Sequence, residues 1–217
     1  MSYAPTRKYS LDLEAARNAI YYTPVSVRLG IMENRFSTRL NYFFNPRTEV
    51  HLESFFATYS SIQYVHVRIV NLSPTRSYYA DHDQAYGGTA TFSRNLLRTE
   101  HFRFDAGYEG LAYGFTGARR QVWMGFFNPS FYQRHQFTTH FAGRLWKPVG
   151  YDFVGGIGIQ QIEQGQALTP AMTLSPTLTF RVNDRFTLGL GYIHYNSAQT
   201  LGALHGDAVR LTSEWNY

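Results

Sequence analysis

Apolar and polar residues alternate one for one along stretch after stretch of this chain. A period of two puts successive side chains on opposite faces of a strand. From 35 to 44, Phe36, Leu40, Tyr42 and Phe44 share one face, and Arg35, Ser37, Arg39 and Asn41 the other. From 131 to 145, Phe137, Phe141 and Leu145 oppose Arg134, Gln136, Thr138, His140 and Arg144. From 173 to 182, Leu174, Leu178, Phe180 and Val182 oppose Thr173, Ser175, Thr177, Thr179 and Arg181. His101, Arg103 and Asp105 oppose Phe102, Phe104 and Ala106; Tyr151, Phe153, Ile157 and Ile159 oppose Gly156 and Gly158. These stretches are about as long as a tilted membrane-crossing strand, ~9–11 residues. Short turns such as Asn45-Pro46-Arg47-Thr48 and Asn183-Asp184-Arg185 separate some of them. Longer polar connections, 73–85, 117–130, 164–171 and 197–206, separate others. The pattern predicts an all-β fold, an antiparallel transmembrane β-barrel of about 10–12 strands with short periplasmic turns and longer extracellular loops. A soluble antiparallel barrel or sandwich also alternates, but its apolar faces fill one core rather than form a belt. The larger strand number requires a hairpin made by 62–70 and a stretch near Tyr78, with Val65, Val67 and Ile69 opposite His66 and Arg68. Residues 1–19 read as a lead-in segment or a weak first strand, because Leu11, Leu13, Ala15 and Ala16 alternate poorly, and 20–217 as the barrel.

Composition narrows the alternatives. Aromatic residues make up 17% of the 217 and charged residues only 16%, against about a quarter charged in an ordinary soluble domain. No apolar run approaches the ~20 residues of a spanning helix. With 0 Cys there is no disulfide framework and no thiolate metal site. The opening Met1-Ser2-Tyr3-Ala4-Pro5 lacks the apolar core of an export signal, so an exported chain is expected to have lost its leader. Net charge is +5, yet the arginines are spread one or two per strand with no basic block, which argues against a nucleic-acid partner. The eight histidines do not share a face at ligand spacing, so neither metal nor cofactor is expected. Asp81-His82-Asp83 reads as a solvated acidic loop tip or a divalent-ion loop. Serines and histidines are present without a linking motif, so no catalytic residue is assigned and an enzyme is not expected.

The end of the chain carries the most specific pattern. Val209, Leu211, Trp215 and Tyr217 fall on one face, with Ser213 the exception, and Arg210, Thr212, Glu214 and Asn216 on the other. A terminal aromatic on an alternating last strand resembles the signal read by the barrel assembly machinery. That machinery and outer-membrane lipid are the implied partners, and the bacterial outer membrane the implied location. On the inward face, Arg28, Arg35, Arg39, Arg103, Arg134, Arg144, Arg181 and Arg210, with Asp105, His140 and Glu214, are expected to line a lumen. Two readings stand: guanidinium groups pair with Glu53, Asp105, Glu109, Asp152 and Glu214, or they present donors to a hydrated polymer or anion. Tyr113, Trp123, Phe126, Phe127, Tyr132 and Tyr151 either stack on sugar faces or form a membrane-interface girdle.

The segment Gly125-Phe126-Phe127-Asn128-Pro129-Ser130-Phe131-Tyr132 resembles a Gly-Tyr-Phe-Ser-Pro-Gln-type segment in the C-terminal barrel of the bacterial cellulose synthase outer-membrane exporter. The segments Tyr151-Asp152-Phe153-Val154-Gly155-Gly156-Ile157-Gly158 and Arg181-Val182-Asn183-Asp184-Arg185-Phe186-Thr187-Leu188-Gly189 are similar in spacing. The resemblance covers the last ninety or so residues; the first half of the chain offers no match. It implies a barrel that follows periplasmic tetratricopeptide repeats and passes a nascent exopolysaccharide, with the repeat domain or a synthase complex as partner. Two departures are the absence of repeat helices here and a family barrel of sixteen strands. The expected function is a non-enzymatic outer-membrane pore or secretion barrel. The alternatives are an outer-membrane lipid-modifying enzyme and a closed anchor or adhesin barrel.

Overall fold

A β-strand buries or exposes every second side chain, so a chain that alternates along its whole length builds sheet before anything else. The computed structural model describes residues 2–6, 8–20, 26–27, 30–61, 83–117, 127–196 and 206–215. Eleven strands follow in chain order: β1 (Ser2–Thr6), β2 (Tyr9–Ala19), β3 (Ile31–Asn45), β4 (Thr48–Ser61), β5 (Asp83–Arg98) and β6 (Phe102–Phe115). The rest are β7 (Tyr132–Trp146), β8 (Val149–Ile162), β9 (Thr169–Arg181), β10 (Phe186–Tyr195) and β11 (Gly206–Trp215). They form one sheet in sequence order, each strand antiparallel to the next. The poorly alternating stretch near the start forms β2, in register with β3 from Tyr9↔Tyr42 to Ala19↔Met32. The hairpin considered for 62–70 and Tyr78 lies outside the described residues. β4 and β5 pair directly, so no strand stands between them in the sheet.

Local chemistry sets the short turns. The Asn45 side-chain oxygen accepts from the Arg47 amide at 2.9 Å, and Asn183 accepts from Arg185 and Phe186, each at 2.9 Å. An Asx side chain that caps its own turn in this way fixes a tight reversal. Register shifts accompany three of the short turns, at Phe43/Asn45, Asn95/Leu97 and Arg144/Trp146. Such bulges bend and twist a strand, and twist accumulated across a wide sheet curls it.

The curl shows in the side chains. Tyr59 on β4 and Phe115 on β6 lie with ring centroids 5.3 Å apart, and Gln136 on β7 reaches Thr173 on β9 at 3.4 Å. Strands two apart in a flat sheet are separated by about 10 Å, so this face is concave. Tyr59, Tyr132 and Phe115 are fully buried on it although, among the described residues, no second layer covers the sheet. The opposite face is convex and apolar: Phe36, Leu52, Phe56, Phe137, Ile157, Leu178, Leu190, Val209 and Leu211 are all exposed there. Near the short turns this face carries touching aromatics. Phe104 stacks on Phe141 at 4.5 Å, Tyr42 meets Phe44 at 4.6 Å, and Phe186 meets Trp215 at 5.4 Å.

Close packing on the concave side explains some of the glycines. A Cβ on Gly158 would collide with the backbone carbonyl of His135 and come within 2.7 Å of Gln136 Cα. Backbone cannot retreat as a flexible side chain can, so Gly158→Ala is expected to cost about 1–3 kcal/mol. Urea unfolding in lipid vesicles measures this; an unchanged midpoint would contradict the β7–β8 geometry.

Candidate functional site

The concave wall gathers the polar members of the alternating pattern. Direct cross-strand pairing places Asp12, Arg39, Glu53 and Thr89 in one row, and Ser10, Asn41, His51 and Thr91 in the next. Glu53 accepts from Arg35 Nη2 and Arg39 Nη2, each at 3.0 Å. Arg35 also lies over the Phe55 ring, 4.2 Å from its centroid. Asn41 donates to Ser10 Oγ at 2.9 Å and Asp12 Oδ2 at 3.0 Å, and its oxygen meets His51 Nδ1 at 2.5 Å. Arg39, Asn41, His51, Glu53, Thr89 and Thr91 surround a cleft of about 380 Å³.

Further round the wall, Arg103 Nε contacts Asp105 Oδ2 at 2.5 Å and Asn95 donates to Asp105 Oδ1 at 2.6 Å. His140 sits between two carboxylates, 3.3 Å from Asp105 and 2.8 Å from Asp152. Arg134, nearly buried, is paired with Glu109. For Arg35, Arg39, Arg103 and Arg134 the pairing reading therefore applies. Arg181 bonds Asp184 in its own turn at 2.9 Å instead of reaching across the wall. Arg144, Arg210 and Glu214 lie on the concave face and make no ion pair among the described residues. Arg28 and Tyr217 lie outside the described residues. The other members of the closing pattern, Val209, Leu211 and Trp215, are on the convex face, and Arg210 and Glu214 on the concave one.

Among the described residues, carboxylates outnumber guanidinium groups on this wall. Asp12, Glu14, Glu33, Glu49, Glu53, Asp83, Asp105, Glu109, Asp152 and Glu214 face inward with Arg35, Arg39, Arg98, Arg103, Arg134, Arg144, Arg181 and Arg210. β9 to β11 contribute a different surface, of small and hydroxyl side chains: Thr173, Ser175, Thr177, Thr179, Gly189, Gly191 and Thr212.

Toward the long connections the wall turns apolar. Ile20, Ile31, Tyr59, Tyr113, Phe115 and Tyr132 pack into one buried cluster, with Phe127 and Ile162 against it. Tyr113 and Tyr132 have ring centroids 5.1 Å apart, and Tyr59 donates to the buried Glu33 at 2.6 Å. Tyr113 and Tyr132 therefore belong to no interface girdle. Counting by twos from Arg134 places Tyr132 on the inner face, a signal the sequence already holds. Tyr151 is on the convex face, opposite Gly143 and Leu178, and Trp123 and Phe126 lie outside the described residues. Asp83 also departs from expectation. It is the first residue of β5 and fully buried, not a loop tip. One oxygen accepts from the Gln84 amide at 2.8 Å and Thr116 Oγ1 at 3.1 Å, and from the Gly117 amide.

No His/Asp/Glu group able to hold a metal ion occurs among the described residues. His51, His135, His140 and His194 bond to Asn41, Tyr108, Asp152 and Asp207 respectively, not to a serine.

No family model matches the chain, and no curated protein matches it. A solved structure described as a bacterial polysaccharide outer membrane secretin matches the whole of this chain and 67% of its own length, with a TM-score of 0.70 and 12% sequence identity. At that identity the likeness is one of fold, and it places the all-β antiparallel architecture beside an outer-membrane protein.

Proposed function

We propose that this chain forms the wall of a bacterial outer-membrane pore that exports a polysaccharide. The observation that carries the reading is the two-faced single sheet. Its convex face exposes large apolar side chains that no other described element covers, and its concave face is a hydrogen-bonding wall. Exposed Phe, Leu and Ile in continuous array suit hydrocarbon, while paired carboxylates and guanidinium groups suit a hydrated interior. Strands of 13 to 16 residues for β3 to β9 are long enough to cross a bilayer at a tilt. The similarity in fold to a polysaccharide secretin supports the cargo class.

A polymer sliding through such a wall exchanges water for side-chain hydroxyls and charged groups already held in place by their partners. The Thr and Ser surface of β9 to β11 offers weak, repeated hydrogen bonds, which permit movement better than a few strong ones. Among the described residues the wall carries more carboxylates than guanidinium groups, which disfavours an anionic chain and suits an uncharged one. Cellulose, the cargo suggested by the family resemblance, is such a chain. In this reading no step is catalytic.

The aromatic cluster at the long-connection end is then the narrowest part of the path. Replacing Tyr59 and Phe115 together by Ala removes two fully buried rings and is expected to raise single-channel conductance several-fold in a planar bilayer. A closed, SDS-resistant barrel containing this chain that conducts neither as wild type nor as this double variant would rule out the pore and leave the closed-anchor reading.

A further inference from the structure

We infer that the sheet closes only when an odd number of additional spanning strands, supplied by polypeptide outside these 217 residues, enters between β11 and β1. The inference rests on the membrane reading above and on the direction of the strands. Eleven strands alternate without a break from β1 to β11, so the two edge strands run the same way. An all-antiparallel barrel needs an even number of strands. Joining β11 to β1 would instead make a parallel seam, to which β1 offers only five residues against the ten of β11. No pairing between β1 and β11 occurs among the described residues.

Two other ways of closing the seam fail on geometry, and a third would have to break an existing pairing. A connection that leaves and returns at one end of the sheet adds spanning strands in pairs, so it leaves the number odd. Copies of this chain inserted in the same direction present edge strands that all point the same way, so no ring of copies has an antiparallel seam. Expelling β1 would let β2 meet β11 in the antiparallel sense. However, β1 already pairs with the free edge of β2 at Ser2↔Asp12, Tyr3↔Leu11 and Thr6↔Tyr9.

The free edge is built to accept a strand. β11 is regular over its ten residues and fully in register with β10. Its Val209 and Leu211 are the most exposed of the large apolar residues, and its unpaired backbone groups have no water to bond to inside a bilayer. The incoming strands must continue both faces, apolar beside Val209 and Leu211 and polar beside Arg210 and Thr212. The structural neighbour has room for them, since about a third of that chain has no counterpart here.

The test varies strand number by one. The chain is refolded into lipid vesicles as it stands, with one appended strand (a copy of 182–195 after Tyr217), and with two (a copy of 182–215). The expected result is a species resistant to unboiled SDS, with shifted gel mobility, for the single-strand form alone. Resistance of the 217-residue chain itself would overturn the inference, and a disulfide between Leu13→Cys and Val209→Cys or Leu211→Cys would then assign the closure to β2. Equal resistance of both extended forms, or none in a single-strand form that inserts, would also overturn it. Failure of all three forms to gain protease protection in vesicles refutes the membrane reading itself.

Discussion

Replacing Ile157 by Arg is expected to destabilise the inserted protein by about 2–4 kcal/mol. Ile157 lies midway along β8, 64% exposed, in a convex row with Phe137, Tyr108, Phe92 and Met172. Exposure of that size on a water-facing wall would make the substitution nearly neutral. In hydrocarbon the guanidinium must drag water inward or pull its strand toward the headgroups, and at mid-height both are costly. The matched control is Ser175→Arg, on the concave face of β9 and partly exposed, where the new charge meets hydrated polar groups. Its expected effect is within about 0.5 kcal/mol. Urea titration of both variants in vesicles decides between a membrane belt and a soluble sheet: equal effects in the two would remove the belt. The comparison does not depend on cargo, so it tests location separately from function.

The second large effect is expected at the Arg134–Glu109 pair. The Arg134 side chain is 6% exposed while Glu109 is 29% exposed, so the guanidinium carries most of the desolvation. Truncating Glu109 to Ala removes the ion pair from this nearly buried guanidinium. Breaking a buried pair by removing one partner costs about 3–5 kcal/mol. The partial exposure of Glu109 admits some water, which puts the expectation at the lower end of that range. The double variant Glu109→Gln with Arg134→Gln keeps a hydrogen-bonding pair without charge and is expected to recover most of the loss. That recovery, read by urea titration in vesicles, is the informative measurement. A double variant as unstable as Glu109→Ala would mean that shape and not charge compensation matters at this site. On the export reading the same double variant leaves conductance close to wild type, because both groups face each other more than the lumen.

Much of this is visible in the sequence because the relevant signal is local. Parity along a strand needs no knowledge of neighbours. Arg35 and Arg39 fall inward with Glu53, and Phe36 and Phe56 outward, as alternation requires. Asn45 and Asn183 announce their turns because their side chains bond within the turn itself. The strand formed by Tyr9–Ala19 is harder to see because the small Ala15 and Ala16 blur its alternation, and pairing with β3 decides it. Asp83 has the local context of a loop because it follows Asp81 and His82. Its burial depends on Thr116 and Gly117, more than thirty residues away.

The two faces and the aromatic end of the last strand are therefore properties of the amino-acid order alone, because each follows from the fixed two-residue repeat of extended backbone. What the inner face contains is settled by long-range packing instead. Tyr59, Tyr113, Phe115 and Tyr132 share the parity of the inward arginines, yet they pack into an apolar cluster at one end while the ion pairs gather elsewhere. That division arises from the curl of the sheet and the register between strands, which bring together residues from β2 to β7 that no local repeat connects. The same curl sets carboxylates against guanidinium groups from different strands.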